Sequence, residues 1–155
     1  MTPLHRIAPL LLVLLAAAPP PGTTVTLVAQ PGTSLDATAR QLVAQNLAEA
    51  ARRGDEPLLL LGTARLGAPR DRPALFVQLQ SPRECGSAGC NTQVYTWVKG
   101  AYVRVLDGVS GSVVVQATRH RGMADLQAGS ERYVWDGAKY QDVRPAPVVD
   151  LRKRG

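Results

Sequence analysis

The sequence predicts an α+β protein: one N-terminal helix packed on a curved, mostly antiparallel sheet of six or seven strands built from hairpins. Three observations carry this. Residues 34–53 repeat their apolar side chains at helical spacing. From residue 57 onward the pattern turns to short apolar or alternating runs. The turns between those runs are too short for the crossovers that parallel neighbours require.

The first 22 residues, MTPLHRIAPLLLVLLAAAPPPG, have the layout of a secretory signal. Arg6 and the amino terminus give a positive start, and Ile7 to Ala18 give an apolar run of 12 residues before small residues and prolines. A bilayer-spanning helix needs about 20 apolar residues, so this run suits a signal and not a span. The mature chain is therefore expected in the periplasm or outside the cell, with no transmembrane segment. No cysteine follows the run, which argues against a lipid anchor. Residues 23–32, rich in Pro, Gly and Thr, read as a linker with a short extended piece at 25–28. Residues 33–144 read as a single domain and 145–155 as a flexible basic tail.

The helix opens at Thr33-Ser-Leu-Asp36, which fits a capping box with Asp36 in the usual Glu position. Leu35, Ala39, Leu42, Val43, Leu47, Ala50 and Ala51 form one stripe. Asp36 with Arg40, and Glu49 with Arg53, are acid-before-base pairs four residues apart. Gly54 is placed to stop the helix.

Strands follow at 57–67, 74–80, 93–98, 101–107 and 112–118, with a short one at 124–127. Lys99-Gly100 closes a hairpin that sets Val98 against Ala101 and Trp97 against Tyr102. Asp136-Gly137 is a hairpin signal between RYVW and AKYQDV. In that second hairpin Tyr133, Trp135, Ala138 and Tyr140 are expected to share a face as an aromatic ladder.

Cys85 and Cys90 are the only cysteines. A zinc site needs about four ligands, and after the signal only His120 remains as a histidine. A thioredoxin-type pair would have two intervening residues, not Gly-Ser-Ala-Gly. Export places both thiols in an oxidising compartment. A disulfide clamping the loop of a hairpin is the favoured reading, with a redox pair, a nucleophile and a metal site as the alternatives. No metal or cofactor is expected.

The formal charge is +6, and 15 of the 18 basic residues are arginine. They are scattered except at Arg119-His120-Arg121 and Arg152-Lys153-Arg154. Scattered arginine suits a solvated basic surface more than a nucleic-acid stripe. Nucleic acid is therefore not an expected partner, whereas an envelope protein or anionic polymer is.

Catalytic motifs are missing: there is no Gly-x-Ser-x-Gly elbow, phosphate loop or His-Glu-x-x-His. His120 between Arg119 and Arg121 is a candidate for anion binding, or for a base working with Asp125. The first hairpin gives the best binding clue. Its register places Tyr95, Trp97, Tyr102, Arg104 and Leu106 on one face. Val94, Val98, Ala101, Val103, Val105 and Thr96 fall on the other. The valine face reads as core. The Tyr/Trp/Arg face has the composition of binding hot spots, with Arg104 able to stack on Tyr95. Its alternative is burial under the helix.

CGSAGC, RGMADLQ and RYVWDGAKY together resemble a pattern in small secreted proteins of Gram-negative bacteria. They are similar in format to periplasmic lysozyme inhibitors, which are small, β-rich and disulfide-clamped. The resemblance covers about residues 74–143 and rests on turn and packing motifs, so it carries over no active residue. It implies an envelope location and a compact, non-catalytic protein. The expected function is an exported binding or accessory protein, extending to an inhibitor of an envelope-acting enzyme. Its contacts would be Tyr95, Trp97, Tyr102, Arg104, Arg119, His120 and Arg121. The rivals are a periplasmic hydrolase using His120 and a structural envelope protein that binds anionic polymers.

Overall fold

A computed structural model describes residues 22–143. The expected signal, apart from Gly22, and the 145–155 tail lie outside the described residues. Where one helix was expected there are two, α1 (Ser34–Leu42) and α2 (Ala44–Arg52). They meet at Val43, whose φ of −106° and ψ of 20° leave the helical region. Val43 is buried among the apolar residues of the neighbouring sheet. The kink lets both nine-residue segments lay Leu35, Ala39, Leu42 and Leu47 on that sheet.

The Thr33 hydroxyl accepts the Asp36 amide at 3.1 Å, as a cap should. The Asp36 carboxylate does not complete the box; it pairs with Arg40 at 2.9 Å. Arg53 turns from Glu49 to Glu84 at 2.7 Å. At the helix end, Gly54 adopts φ 68°, the Asp55 amide donates to Ala50 O and the Gly54 amide to Ala51 O. That is a Schellman stop.

The strands are β1 (Thr23–Thr24), β2 (Leu58–Ala64), β3 (Ala74–Gln80), β4 (Cys85–Gly86), β5 (Gly89–Val98) and β6 (Ala101–Ser110). They continue with β7 (Val113–His120), β8 (Met123–Ala128), β9 (Glu131–Trp135) and β10 (Tyr140–Asp142). They form two antiparallel sheets, not one. The first runs β2-β3-β5, with β4 and β6 also on β5; the second runs β1-β7-β8-β9-β10. The expectation of an α+β fold with one helix on one sheet is thereby corrected. The molecule is mostly β, with two short helices and no closed barrel among the described residues.

The physical reason is the number of apolar faces. The first sheet is covered on both sides. Leu59, Leu61, Leu75, Val77, Leu79 and Tyr95 meet the helices. Phe76, Val94, Val105, Leu106 and Val109 meet Val113, Leu126, Tyr133 and Tyr140 of the second sheet. Strand β3 is buried at six of its seven residues, because it lies central and sandwiched.

The stretch expected as a linker, 23–32, joins the two sheets at their edges. Thr23 and Thr24 pair with Val115 and Val114, and Val28 bridges Leu61. This crossing needs Gly62: a Cβ there would stand 2.6 Å from the Thr26 carbonyl oxygen.

The expected disulfide is present. Cys85 and Cys90 face each other across the β4–β5 hairpin with Cα atoms 4.0 Å apart.

Candidate binding cleft at one end of the sandwich

The antiparallel connections sort the loops into two ends. One end collects the 65–73 loop, the Lys99-Gly100 turn, the Arg121-Gly122 turn and the 136–139 loop. The disulfide hairpin lies at the other. The first end carries most of the residues flagged by the sequence, and it is built as follows.

Loop 65–73 is tied to itself and to the second sheet. Arg65 donates to the carbonyls of Pro69 at 2.6 Å and Asp71 at 2.8 Å. The Asp71 carboxylate accepts the Ala68 amide at 2.7 Å. Gly67 leaves room for this: a Cβ would fall 2.3 Å from that carboxylate oxygen. From the β7–β8 hairpin, Arg119 donates to Leu66 O at 3.0 Å, Gly67 O at 3.3 Å and Gly122 O at 3.0 Å. Arg119 is thus a brace rather than a free contact. Arg121 and Gly122, with φ of 48° and 84°, make the tight turn that returns β8. Residues 119–121, beyond the strand expected at 112–118, form the end of a hairpin.

Between these pieces lies a cleft of about 390 Å³, walled by Leu66, Ala74, Met123, Trp97 and Trp135 and rimmed by Arg70 and Arg72. The Arg72 guanidinium carbon sits 4.2 Å from the centre of the Trp97 ring. Tyr102 meets Trp97 edge-on at 5.0 Å, and Tyr140 meets Trp135 similarly at 5.3 Å. The Tyr140 hydroxyl donates to Ala124 O at 2.7 Å, and burial pushes its pKa upward. Both tryptophans are therefore held by a tyrosine behind them, each supplied by the facing strand of its hairpin. Trp97 remains 37% exposed.

The expected contact face is divided by the second layer. The predicted pairs Tyr95 with Arg104, Trp97 with Tyr102 and Val98 with Ala101 are observed. Tyr95, however, is 3% exposed and packs under the helices, so it belongs to the core. Its burial raises its pKa against the lowering influence of Arg104. Arg104 is exposed and lies 3.6 Å from Asp107. Only Trp97, with Tyr102 behind it, reaches the cleft. The valine face is divided too: Val98 and Val103 are each 44% exposed, beyond the reach of the second sheet. Leu106 pairs with Val94 rather than joining Tyr95, because Val105 is an extra residue bulged into β6. In the second hairpin Tyr140 pairs with Trp135, leaving Ala138 in a four-residue loop. There the Asp136 carboxylate accepts the amides of Lys139 and Ala138 and the Gln141 side chain, which hold its pKa near 2.

His120 and Asp125 are brought together on the outer face of the second sheet. His120 Nδ1 lies 2.6 Å from Asp125 Oδ1. Thr118 and Arg132 each donate to Asp125 Oδ2 at 2.6 Å. A register shift in β7 between Val115 and Arg119 lets Thr118 and His120 bend over the carboxylate. Asp125 is fully buried although it points away from the core. Burial alone would raise its pKa, but hydrogen bonds from Thr118, Arg132 and His120 outweigh it and hold the carboxyl below its ordinary value.

Sequence reasoning overlooked Arg70, Arg72, Met123 and Arg132, and read Trp135 as packing only. A loop Pro-Arg-Asp-Arg was a usable signal, since Arg70 and Arg72 have no acidic partner at helical spacing. No family model, curated protein or solved structure matches the chain. Among the described residues no helix is long and apolar enough to cross a membrane, and no group of three or more acidic, histidine or cysteine side chains is placed to hold a metal ion.

Proposed function

We propose that this chain is an exported binding protein of the bacterial envelope that seats a partner at the arginine- and tryptophan-lined end, as an accessory factor or inhibitor. The observation that carries the reading is the convergence of both tryptophans on one cleft, with Arg72 laid on Trp97. Tryptophan and arginine in a partly desolvated pocket are the side chains that dominate binding energy at protein contacts. The signal-like start and the closed disulfide support export.

A hydrolase reading is favoured by one observation, the 2.6 Å contact between His120 and Asp125. Against it, that carboxylate is also occupied by Arg132 and Thr118, and His120 is not among the residues that line the tryptophan cleft. General-base work calls for a substrate proton within hydrogen-bond reach in a shaped site.

The test is affinity capture from a native envelope extract with the oxidised protein, Trp97→Ala, Arg72→Glu and His120→Ala. One stoichiometric partner is expected with wild type and His120→Ala, and at least a tenfold loss with the two cleft variants. Equal retention by both cleft variants would remove the cleft from the reading. A hydrolytic activity abolished by His120→Ala would replace it with catalysis.

A further inference from the structure

We propose that the element seated in the cleft is an acidic peptide segment of the partner protein. It would place a large apolar side chain between Trp97 and Trp135 and its carboxylates on Arg70 and Arg72. The inference rests on the cleft being the contact site and adds the chemistry of what enters it.

Among the described residues Arg40, Arg52, Arg53, Arg104 and Arg132 stand opposite acidic side chains. Arg65 and Arg119 are used up on carbonyl oxygens. No such ion pair takes Arg70 or Arg72, and both are exposed at the cleft rim. The one acid lining the cleft, Asp71, has Oδ2 committed to the Ala68 amide. With two guanidinium groups against the one Asp71 carboxylate, the rim keeps a net positive charge, which selects a partner of opposite sign.

Geometry narrows the anion. The Arg72 guanidinium carbon lies 4.2 Å from the centre of the Trp97 ring, a cation–π contact that favours this placement of its donors before any ligand arrives. A guanidinium fork matches a carboxylate bidentately, and the ring contact offsets part of the side-chain freedom lost on binding.

The walls narrow the rest of the ligand. Leu66, Ala74, Val98, Met123 and the two tryptophans are apolar, and Met123 can adjust its shape to a side chain. At about 390 Å³ the cleft is at the small end of ligand sites, which suits an anchoring side chain more than a cofactor. A sugar would want several polar partners for its hydroxyls, and beyond the arginines and Asp71 the lining side chains offer only the Thr96 hydroxyl and the two indole N–H groups. A nucleobase would want an open ring face, and Arg72 already covers one face of Trp97.

The experiment is a phage-displayed peptide selection on the immobilised, disulfide-closed protein. Tryptophan-fluorescence titrations with an enriched peptide follow, alongside an acidic polysaccharide and a single-stranded oligonucleotide. Enriched sequences are expected to carry two or more carboxylates beside an aromatic or branched aliphatic residue. Converting those carboxylates to amides should weaken binding at least tenfold. Arg70→Gln with Arg72→Gln should do the same while lowering the thermal midpoint by no more than a few degrees, as both side chains are exposed and only the contact of Arg72 with Trp97 is lost. Arg72→Lys, which keeps the charge and loses the fork, should recover only part of the affinity. The proposal is overturned if no peptide is enriched, if enrichment ignores carboxylates, or if only the polysaccharide or oligonucleotide moves the fluorescence. A partner captured through the cleft whose binding survives the double Gln variant would overturn this inference and leave the binding reading standing. Failure of the Trp97→Ala and Arg72→Glu capture test would end both.

Discussion

Asp125→Asn is expected to lower the unfolding free energy at pH 7 by about 2 kcal/mol while leaving the fold intact. The Asp125 side chain is 0% exposed and accepts from Thr118, Arg132 and His120. The Thr118 hydroxyl is a neutral donor to a buried anion, and a bond of this kind contributes about 1 kcal/mol net. Arg132 and His120 would each contribute more if buried, but their side chains are 46% and 48% exposed. Water screens such groups, so each is discounted to roughly 0.5 kcal/mol. Asparagine keeps the volume, removes the charge and turns an amide N–H toward one of the donors.

Urea unfolding followed by tryptophan fluorescence, with the disulfide intact, measures the difference; the thermal midpoint should fall by roughly 8 °C. The pH dependence has a definite sign. A carboxyl whose folded pKa is lowered adds stability that is complete above its ordinary value of about 3.9. That stability disappears as pH falls through the lower folded value. The gap between wild type and Asp125→Asn should therefore shrink as pH falls below the ordinary carboxylate range. Equal stability of the two proteins at pH 7, or a gap unchanged at the acid end, would refute the cluster as the source.

Three further outcomes follow from the packing. Tyr95→Ala should cost about 3–5 kcal/mol as a core truncation, whereas Trp97→Ala at the rim should cost much less, by urea unfolding of each. Gly62→Ala should destabilise by about 1–3 kcal/mol and speed hydrogen exchange at the Val25 and Val28 amides, since the added methyl displaces the crossing segment. Neither cysteine should alkylate before reduction. Reduction should remove about 2 kcal/mol by the chain-entropy model and leave cleft binding unchanged, because the hairpin is at the far end.

Much of this fold was legible one residue at a time. Strand β3 shows its Leu75-Val77-Leu79 alternation, Thr33 and Gly54 mark the helix limits, and Lys99-Gly100 sets the register of Trp97 against Tyr102. The enclosed Gly-Ser-Ala-Gly allowed the Cys85–Cys90 bridge to be expected. These are local matters: period, caps and turn conformations depend on neighbours in the chain.

What the sequence could not assign depends on contacts between distant residues. Alternation shows that Tyr95 and Val94 face opposite ways, but not that both ways lead to core. That required the helices on one side and a second sheet on the other. The bulge at Val105, the kink at Val43 and the crossing of 25–28 over Gly62 are each adjustments to a neighbour far along the chain. So is the candidate site. Arg72, Trp97, Met123 and Trp135 are spread over more than 60 residues and meet only because alternate connections of a two-sheet sandwich end on the same side. The sequence by itself determined where the longer strands run and how the Lys99-Gly100 hairpin closes. The tertiary structure alone decided which faces are dry and which side chains share a cleft, because burial and long-range apposition are properties of packed layers rather than of any one segment.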